Sequence, residues 1–287
     1  MRGARGFRDS GVSLVLRSLK FIFAYSLIAF TLVACGKSQT AVRSNGDGII
    51  GGKDADGTEI FFPHIASLGD KFGPFCTISL ISESIAITAA HCLTEDPANL
   101  IVYFGTEPAA MEPEQLQVRK VQGYVVSPFW AHRQEEDVNN GDIGVIRFSG
   151  GLPKGFKPIS LLKDVSHLSV GQDVILAGYG ANDGKAGTGG GKLRYTTTTI
   201  LKPDFTLTEL AFDQSKGTGA CYGDSGGPAY AEMDGELVVV GVTSRGTEDD
   251  CSGFVIYTSV PFYLSWIERS ATALDKKFAA PKLAQAQ

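Results

Sequence analysis

Gly223-Asp224-Ser225-Gly226-Gly227-Pro228 is the most informative stretch of this chain. A serine hydroxyl is a weak nucleophile. It becomes a useful one when a tight, glycine-lined turn exposes its oxygen and lets backbone N–H groups approach the carbonyl under attack. Glycines on both sides of Ser225 suit such a turn, and the N–H of Gly223 is one candidate donor. Taken alone, the hexapeptide also fits a structural turn in a glycine-rich protein, so its companions decide. Towards the amino terminus lie Asn140-Gly141-Asp142-Ile143-Gly144-Val145-Ile146 and Ile87-Thr88-Ala89-Ala90-His91-Cys92. They offer a carboxylate opening an apolar run, and a histidine beside a cysteine.

The surrounding chain is globular in composition. It has 287 residues, 43% of them hydrophobic, with a formal charge of -5, too apolar and too weakly charged for intrinsic disorder. That length buries a sizeable core in one large or two small domains. Asp and Glu outnumber Lys and Arg by 31 to 26, so no nucleic-acid partner is expected. Short apolar runs, Ile85–Ala90, Leu100–Phe104, Ile143–Phe148, Val174–Ala177 and Leu237–Val242, alternate with Gly, Pro, Asn and Asp. Their length and spacing predict a strand-rich barrel or sandwich rather than βαβ units. One helix is predicted near the end, where Phe262, Tyr263, Trp266 and Ile267 follow Pro261. Beyond Asp275 the composition turns to Lys and Ala, and residues 271–287 are expected to be a flexible tail.

Residues 1–34 have the make-up of an export signal. Arg2, Arg5, Arg8, Arg17 and Lys20 precede an apolar run from Phe21 to Val33, short for a bilayer span. Leu32-Val33-Ala34-Cys35 resembles the bacterial lipoprotein box, which implies cleavage before Cys35 and lipid on its sulfur. An ordinary secretory signal and an uncleaved anchor are the alternatives. Without the leader the chain carries 21 basic against 30 acidic residues, so acyl chains rather than charge would hold it to a membrane. The expected location is outside a bacterial cytoplasm, anchored at the periplasmic or cell surface. Residues 35–48 are polar and small, a tether or propeptide, and 49–270 form the expected domain. Export places Cys76, Cys92, Cys221 and Cys251 in an oxidising compartment, where an even set pairs in one of three connectivities. None has Cys-x-x-Cys spacing, so no metal site is expected.

Thr88–Cys92, Asp142–Val145 and Gly223–Pro228, in the order His, Asp, Ser, resemble the marks of the chymotrypsin-like (trypsin-fold) serine endopeptidases, and the resemblance spans residues 49–267. It implies an all-β fold of two antiparallel six-stranded barrels with a C-terminal helix and a cleft between the barrels. It implies that Ser225 attacks, that His91 takes its proton, and that Asp142 orients and stabilises the imidazole. The N–H groups of Gly223 and Ser225 become the oxyanion hole, and no cofactor is needed. Asp137 is the rival carboxylate, but the polar Val138-Asn139-Asn140 follows it, whereas Asp142 opens an apolar strand. The resemblance also implies disulfides Cys76–Cys92 and Cys221–Cys251. Gly178-Tyr179-Gly180 stands where the family has Gly-Trp-Gly, and Ser265-Trp266-Ile267 matches its closing helix. The glycine-rich stretch 183–192 falls on a surface loop and lacks the Gly-x4-Gly-Lys-Ser/Thr spacing of a phosphate cradle. His64, His132 and His167 match no motif and are expected at the surface or in packing.

Ile49-Ile50-Gly51-Gly52 resembles the family's new amino terminus, whose ammonium pairs with the acid before the nucleophile, here Asp224. That implies a zymogen, protein or peptide substrates, and an activating protease. Gly48 precedes the cut in place of Arg or Lys, so a trypsin-like activator has no handle there. Cleavage would also release the domain from its anchor. In the family the residue six before the nucleophile lies at the base of the specificity pocket; here it is Gly219, without a countercharge. Gly246 leaves the rim open, Arg245 replaces the usual Trp, and Val255 shortens the pocket, so small or medium apolar side chains are expected. Glu248-Asp249-Asp250 is expected to be a solvated loop. The alternative function is a catalytically silent, protease-like surface binding protein.

Overall fold

The computed structural model describes residues 49–112, 114–131 and 139–279. Cys35, Gly48, His132, Asp137, the expected leader and tether, and residues 280–287 lie outside the described residues. Strands dominate: β1 (Lys53–Asp54), β2 (Ile65–Asp70), β3 (Gly73–Leu80), β4 (Ile85–Thr88), β5 (Ile101–Phe104), β6 (Gln117–Val126), β7 (Gly144–Phe148), β8 (Ser160–Leu161), β9 (Asp173–Gly178), β10 (Arg194–Lys202), β11 (Glu209–Asp213), β12 (Pro228–Met233), β13 (Glu236–Gly246) and β14 (Phe254–Ser259). Helix α1 (Pro128–Ala131) is one turn, and α2 (Val260–Phe278) closes the chain.

The strands form two closed antiparallel six-stranded barrels. The first runs in the order β2-β3-β4-β7-β6-β5. The second runs β9-β10-β11-β14-β13-β12 and closes where β12 pairs β9 again. β1 adds to β10, and β8 lies parallel to β13. Closure removes open edges and turns one side chain in two towards a shared interior. Ile65, Leu68, Ile78, Leu80, Phe104 and Phe148 fill the first barrel and continue into a seam with Tyr179, Tyr230 and Val242. Leu176, Ile200, Leu210, Phe212, Val240 and Tyr257 fill the second.

Strand β13 carries an irregularity between Thr243 and Arg245, where its register against β14 shifts by one residue, and such bulges re-aim a side chain. Here the residue in the shift is Ser244. Helix α2 begins at Val260 with Pro261 in its first turn and buries Tyr263, Ile267, Ser270 and Leu274, a spacing of three and four that keeps one face inward. The tail expected from residue 271 therefore begins later. Leu274 is buried, Asp275 pairs with Arg147 at 3.0 Å, and the Phe278 ring packs over Gly123, so the helix holds to Phe278.

Candidate active site

His91 sits on a single 3-10 turn, Ala90–Cys92, that follows β4. Its neighbour Cys92 is disulfide-bonded to Cys76 on β3, which ties the turn to the wall of the first barrel. Asp142 lies just before β7 and is 2% exposed. The backbone N–H of His91 donates to Asp142 Oδ1 at 3.0 Å, and ring Nδ1 lies 2.7 Å from Oδ2. Ser244 Oγ, re-aimed by the bulge, donates to the same Oδ2 at 2.7 Å. Thr258 Oγ1 donates to the Asp142 carbonyl at 2.9 Å. Three donors converge on one buried carboxylate, which holds the imidazole with Nδ1–H towards the acid and leaves Nε2 facing away from it.

Ser225 belongs to the other barrel, on the turn before β12. Within that turn Asp224 N donates to Cys221 O at 3.0 Å, Gly226 N to Thr243 O at 2.9 Å and Gly227 N to Asp224 O at 2.8 Å. The N–H groups of Gly223 and Ser225 donate to no protein acceptor among the described residues. Thr77 stitches the barrels together: its N–H donates to Ser225 O at 2.8 Å, and its hydroxyl to Gly223 O at 3.1 Å. Gly226 makes that approach possible. A Cβ at this position would lie 2.8 Å from Ala89 N and would overlap Thr88 Oγ1 and Thr77 O. Ser225 and His91 consequently line one cavity of about 330 Å³, with Ala220, Cys221, Ser244, Gly246, Cys251 and Val255. The Trp130 ring stands 6.2 Å from that of His91.

Asp224 is fully buried. Its oxygens accept from Gly180 N and Cys221 N, each at 2.8 Å, and the missing side chain of Gly180 leaves room for the carboxyl. Burial pushes its pKa up to about 7, against the pull of those two N–H groups and the distant Arg194 charge. Ile49 is buried as well, and Ile50 pairs with Gly219 across an isolated bridge.

Cys221 is disulfide-bonded to Cys251, joining two walls of the cavity. Of the expected pocket residues, Gly246 and Val255 line the cavity, whereas the side-chain space of Gly219 is occupied by Gln214. Arg245 also lines the cavity, and its guanidinium pairs with the buried carboxylate of Glu209 at 2.7 Å. Glu248, Asp249 and Asp250 are exposed, the first two at the cavity mouth. His64 is buried and packs with Nδ1 at 2.9 Å from Lys157 O, and His167 is exposed. Cys76, His91 and Cys92 lie close enough to suggest metal ligation, but the two sulfurs are bonded to each other and are not thiolates. Sequence reasoning passed over Thr77, Glu209 and Gln214. It named Ser244 only within a rim segment, since no local pattern marks a residue whose partner lies across the seam.

Two closed antiparallel barrels with a serine and an imidazole facing one cleft at their seam define the class, a serine endopeptidase. The trypsin family model matches residues 49–267, and the chain belongs to that family. It is 28% identical over 247 residues to trypsin-1 of Astacus astacus, covering 78% of this chain and 100% of that protein. It is 27% identical over 238 residues to human tissue-type plasminogen activator, covering 72% of this chain and 41% of the activator. Coagulation factor IX of Oryctolagus cuniculus is 27% identical over 241 residues, covering 76% of this chain and 82% of the factor. As a family member the chain is a hydrolase whose substrates are proteins or peptides.

Proposed function

We propose that this chain is an exported endopeptidase, made as a zymogen and anchored by lipid on Cys35 until it is cut, that works through Ser225, His91 and Asp142. The paired hydrogen bonds from His91 to Asp142, beside the cavity that Ser225 lines, carry the reading. Ser225 Oγ adds to the scissile carbonyl carbon as its proton passes to His91 Nε2. The resulting oxyanion accepts from the N–H groups of Gly223 and Ser225, each worth about 3 kcal/mol at the transition state. Collapse breaks the C–N bond, His91 returns its proton to the leaving amine, and an acyl-Ser225 ester remains. Water, activated by the same imidazole, then hydrolyses the ester and restores the hydroxyl. Asp142 keeps its charge throughout and stabilises the imidazolium.

Cleavage between Gly48 and Ile49 would place a new ammonium within reach of Asp224, whose burial with no adjacent cation among the described residues is the supporting observation. The layout follows: residues 1–34 as lipoprotein signal, 35–48 as tether and propeptide, and the domain from 49 to the end of α2. The resemblance of Leu32-Val33-Ala34-Cys35 to a lipoprotein box supports export and anchoring, and the cut would release the domain from its membrane.

A fluorophosphonate probe tests the activity. It should label the chain after cleavage before Ile49, weakly or not at all before it, and never in Ser225→Ala. A correctly cut chain that refuses the probe would instead be a silent binding protein. Metabolic labelling with a fatty acid, lost in Cys35→Ser, tests the anchor.

A further inference from the structure

We propose that Arg245 selects an acidic side chain on the acyl part of the substrate, two to four residues before the scissile bond and outside the pocket beside that bond. The inference rests on the endopeptidase reading above. Arg245 stands where the resemblance puts a Trp, and it lines the cavity shared by Ser225 and His91. Its guanidinium is anchored from beneath and open above. Nη1 donates to Glu209 Oε1 at 2.7 Å, and the other oxygen of that carboxylate accepts from Thr206 Oγ1 at 3.2 Å. The Glu209 side chain is 1% exposed and that of Arg245 30%, so the surface presents the cation and not its partner. Nε and Nη2 donate to no protein acceptor among the described residues, and neither is a buried orphan, so both reach solvent. A guanidinium pinned at one corner keeps the rest of its planar fork in place for a second carboxylate, at little further loss of side-chain freedom.

Strand register sets that fork apart from the pocket. Gly246 on β13 pairs with Val255 on β14, and both line the cavity. Glu209 on β11 pairs with Thr258, three residues further along β14, which is about 10 Å at the rise of an extended chain. Arg245 therefore reaches back along the sheet, away from the pocket rim. The edge of β13 is open there: its pairing with β12 ends at Val242, Thr243 N donates to Gly227 O, and Ser244 to Gly246 face no further strand on that side among the described residues. An extended substrate can add to such an edge. In the mechanism above His91, on the first barrel, protonates the leaving amine, so the segment lying beside β13 of the second barrel is the acyl part.

Three carboxylates oppose a substrate acid, and they limit the gain. Glu248 and Asp249 also line the cavity, but both are exposed, and solvent and salt screen them. Glu209 is the nearer competitor. It lies buried behind the guanidinium, which stands between the two acids and bonds to both, so attraction to the second is reduced without being cancelled. A substrate Lys or Arg would meet like charge at this point, and a Gln would offer only a neutral oxygen, the weaker acceptor. The preference is therefore for Glu or Asp, and its size is that of one partly exposed charge-assisted contact.

The full chain, converted to its fluorophosphonate-reactive form by cleavage before Ile49, is assayed on peptides carrying Glu, Gln or Lys in turn at each of the second, third and fourth positions before the scissile bond. Glu and Gln share shape and differ in charge. At one of these positions kcat/KM for Glu should exceed that for Gln by about tenfold and that for Lys by more, and the Glu-to-Gln ratio should shrink as salt rises. Arg245→Gln combined with Glu209→Gln removes both members of the pair and leaves no buried charge without a partner, and in it the ratio should fall to about one. A ratio below about threefold at all three positions in the unaltered enzyme overturns the proposal. So does a ratio that survives in the double variant, which would leave Arg245 a cover for Glu209 and nothing more. If the double variant does not fold, the unaltered enzyme's ratio and its salt dependence decide. Loss of probe labelling, by contrast, would sink the endopeptidase reading itself.

Discussion

His91 donates to Asp142 twice, through its backbone N–H to Oδ1 at 3.0 Å and through ring Nδ1 to Oδ2 at 2.7 Å. The pair therefore fixes both where the histidine sits and which ring nitrogen carries its proton. Asp142→Asn keeps the size but puts an amide N–H where an acceptor is needed, turning the imidazole to the wrong tautomer. The expected loss is about 10⁴-fold in kcat, with an unchanged circular dichroism spectrum. Steady-state kinetics on a fluorogenic peptide checks it; a loss smaller than tenfold would rule out the orienting role.

Asp224 gives the uncut chain a pH-dependent weakness. Its folded pKa, about 7, is above the unfolded 3.8, so the folded state holds a proton that the unfolded state releases. Stability through this group is intact below about pH 4 and is lost as pH rises towards 7. In the uncut chain, with Ser225→Ala to prevent self-digestion, Asp224→Asn should stabilise more at pH 8 than at pH 5, by roughly 2 kcal/mol. Once the chain is cut before Ile49, the sign should invert at pH 8, because the substitution then strips a buried ammonium of its partner. Urea denaturation at the two pH values measures both. An equal effect at each pH would refute the shift.

Gly226 tests the seam. Its φ of 82° already disfavours any side chain, and a Cβ there meets Thr88 Oγ1, Thr77 O and Ala89 N, two residues before His91. Gly226→Ala should push the Ser225 turn away from the first barrel and cut kcat/KM by more than about 100-fold, the cost of misplacing a nucleophile by an ångström. Probe labelling rates and thermal melting together separate misplacement from unfolding. Wild-type labelling would show that the contact is dispensable.

The Cys76–Cys92 bridge spans 16 residues of chain. Removing it as Cys76→Ala with Cys92→Ala should lower stability by about 3 kcal/mol on chain-entropy grounds. It should also lower kcat, since the His91 turn loses its tie to β3. The Cys221–Cys251 pair should instead change the preference at the specificity pocket, whose walls it joins. Chemical denaturation and a peptide-cleavage profile distinguish the two; identical effects would argue that neither bridge has a local role.

Strands with continuous apolar runs were legible in the chain: Leu100–Phe104 covers β5, Ile143–Phe148 covers β7 and Val174–Ala177 lies within β9. β10 was not, because Arg194-Tyr195-Thr196-Thr197-Thr198-Thr199 alternates burial with short polar side chains, and its inward threonines look like surface. The end of α2 was missed for a related reason. Lys276 and Lys277 mark a solvated stretch, while Leu274 and Phe278 share the opposite face and pack.

Ser225, His91, Asp142 and the alternation of short apolar runs follow from residue types and near-neighbour spacing, which act within a few bonds of chain. Contacts such as Ser244 on Asp142, separated by 102 residues, or Gln214 in the place left by Gly219, depend on ring closure of two barrels and on one residue's slip in β13. Closure sets distances between segments whose order along the chain carries no such information. The chemistry available to this protein was thus written locally, whereas the shape of its pocket was decided by packing across the seam.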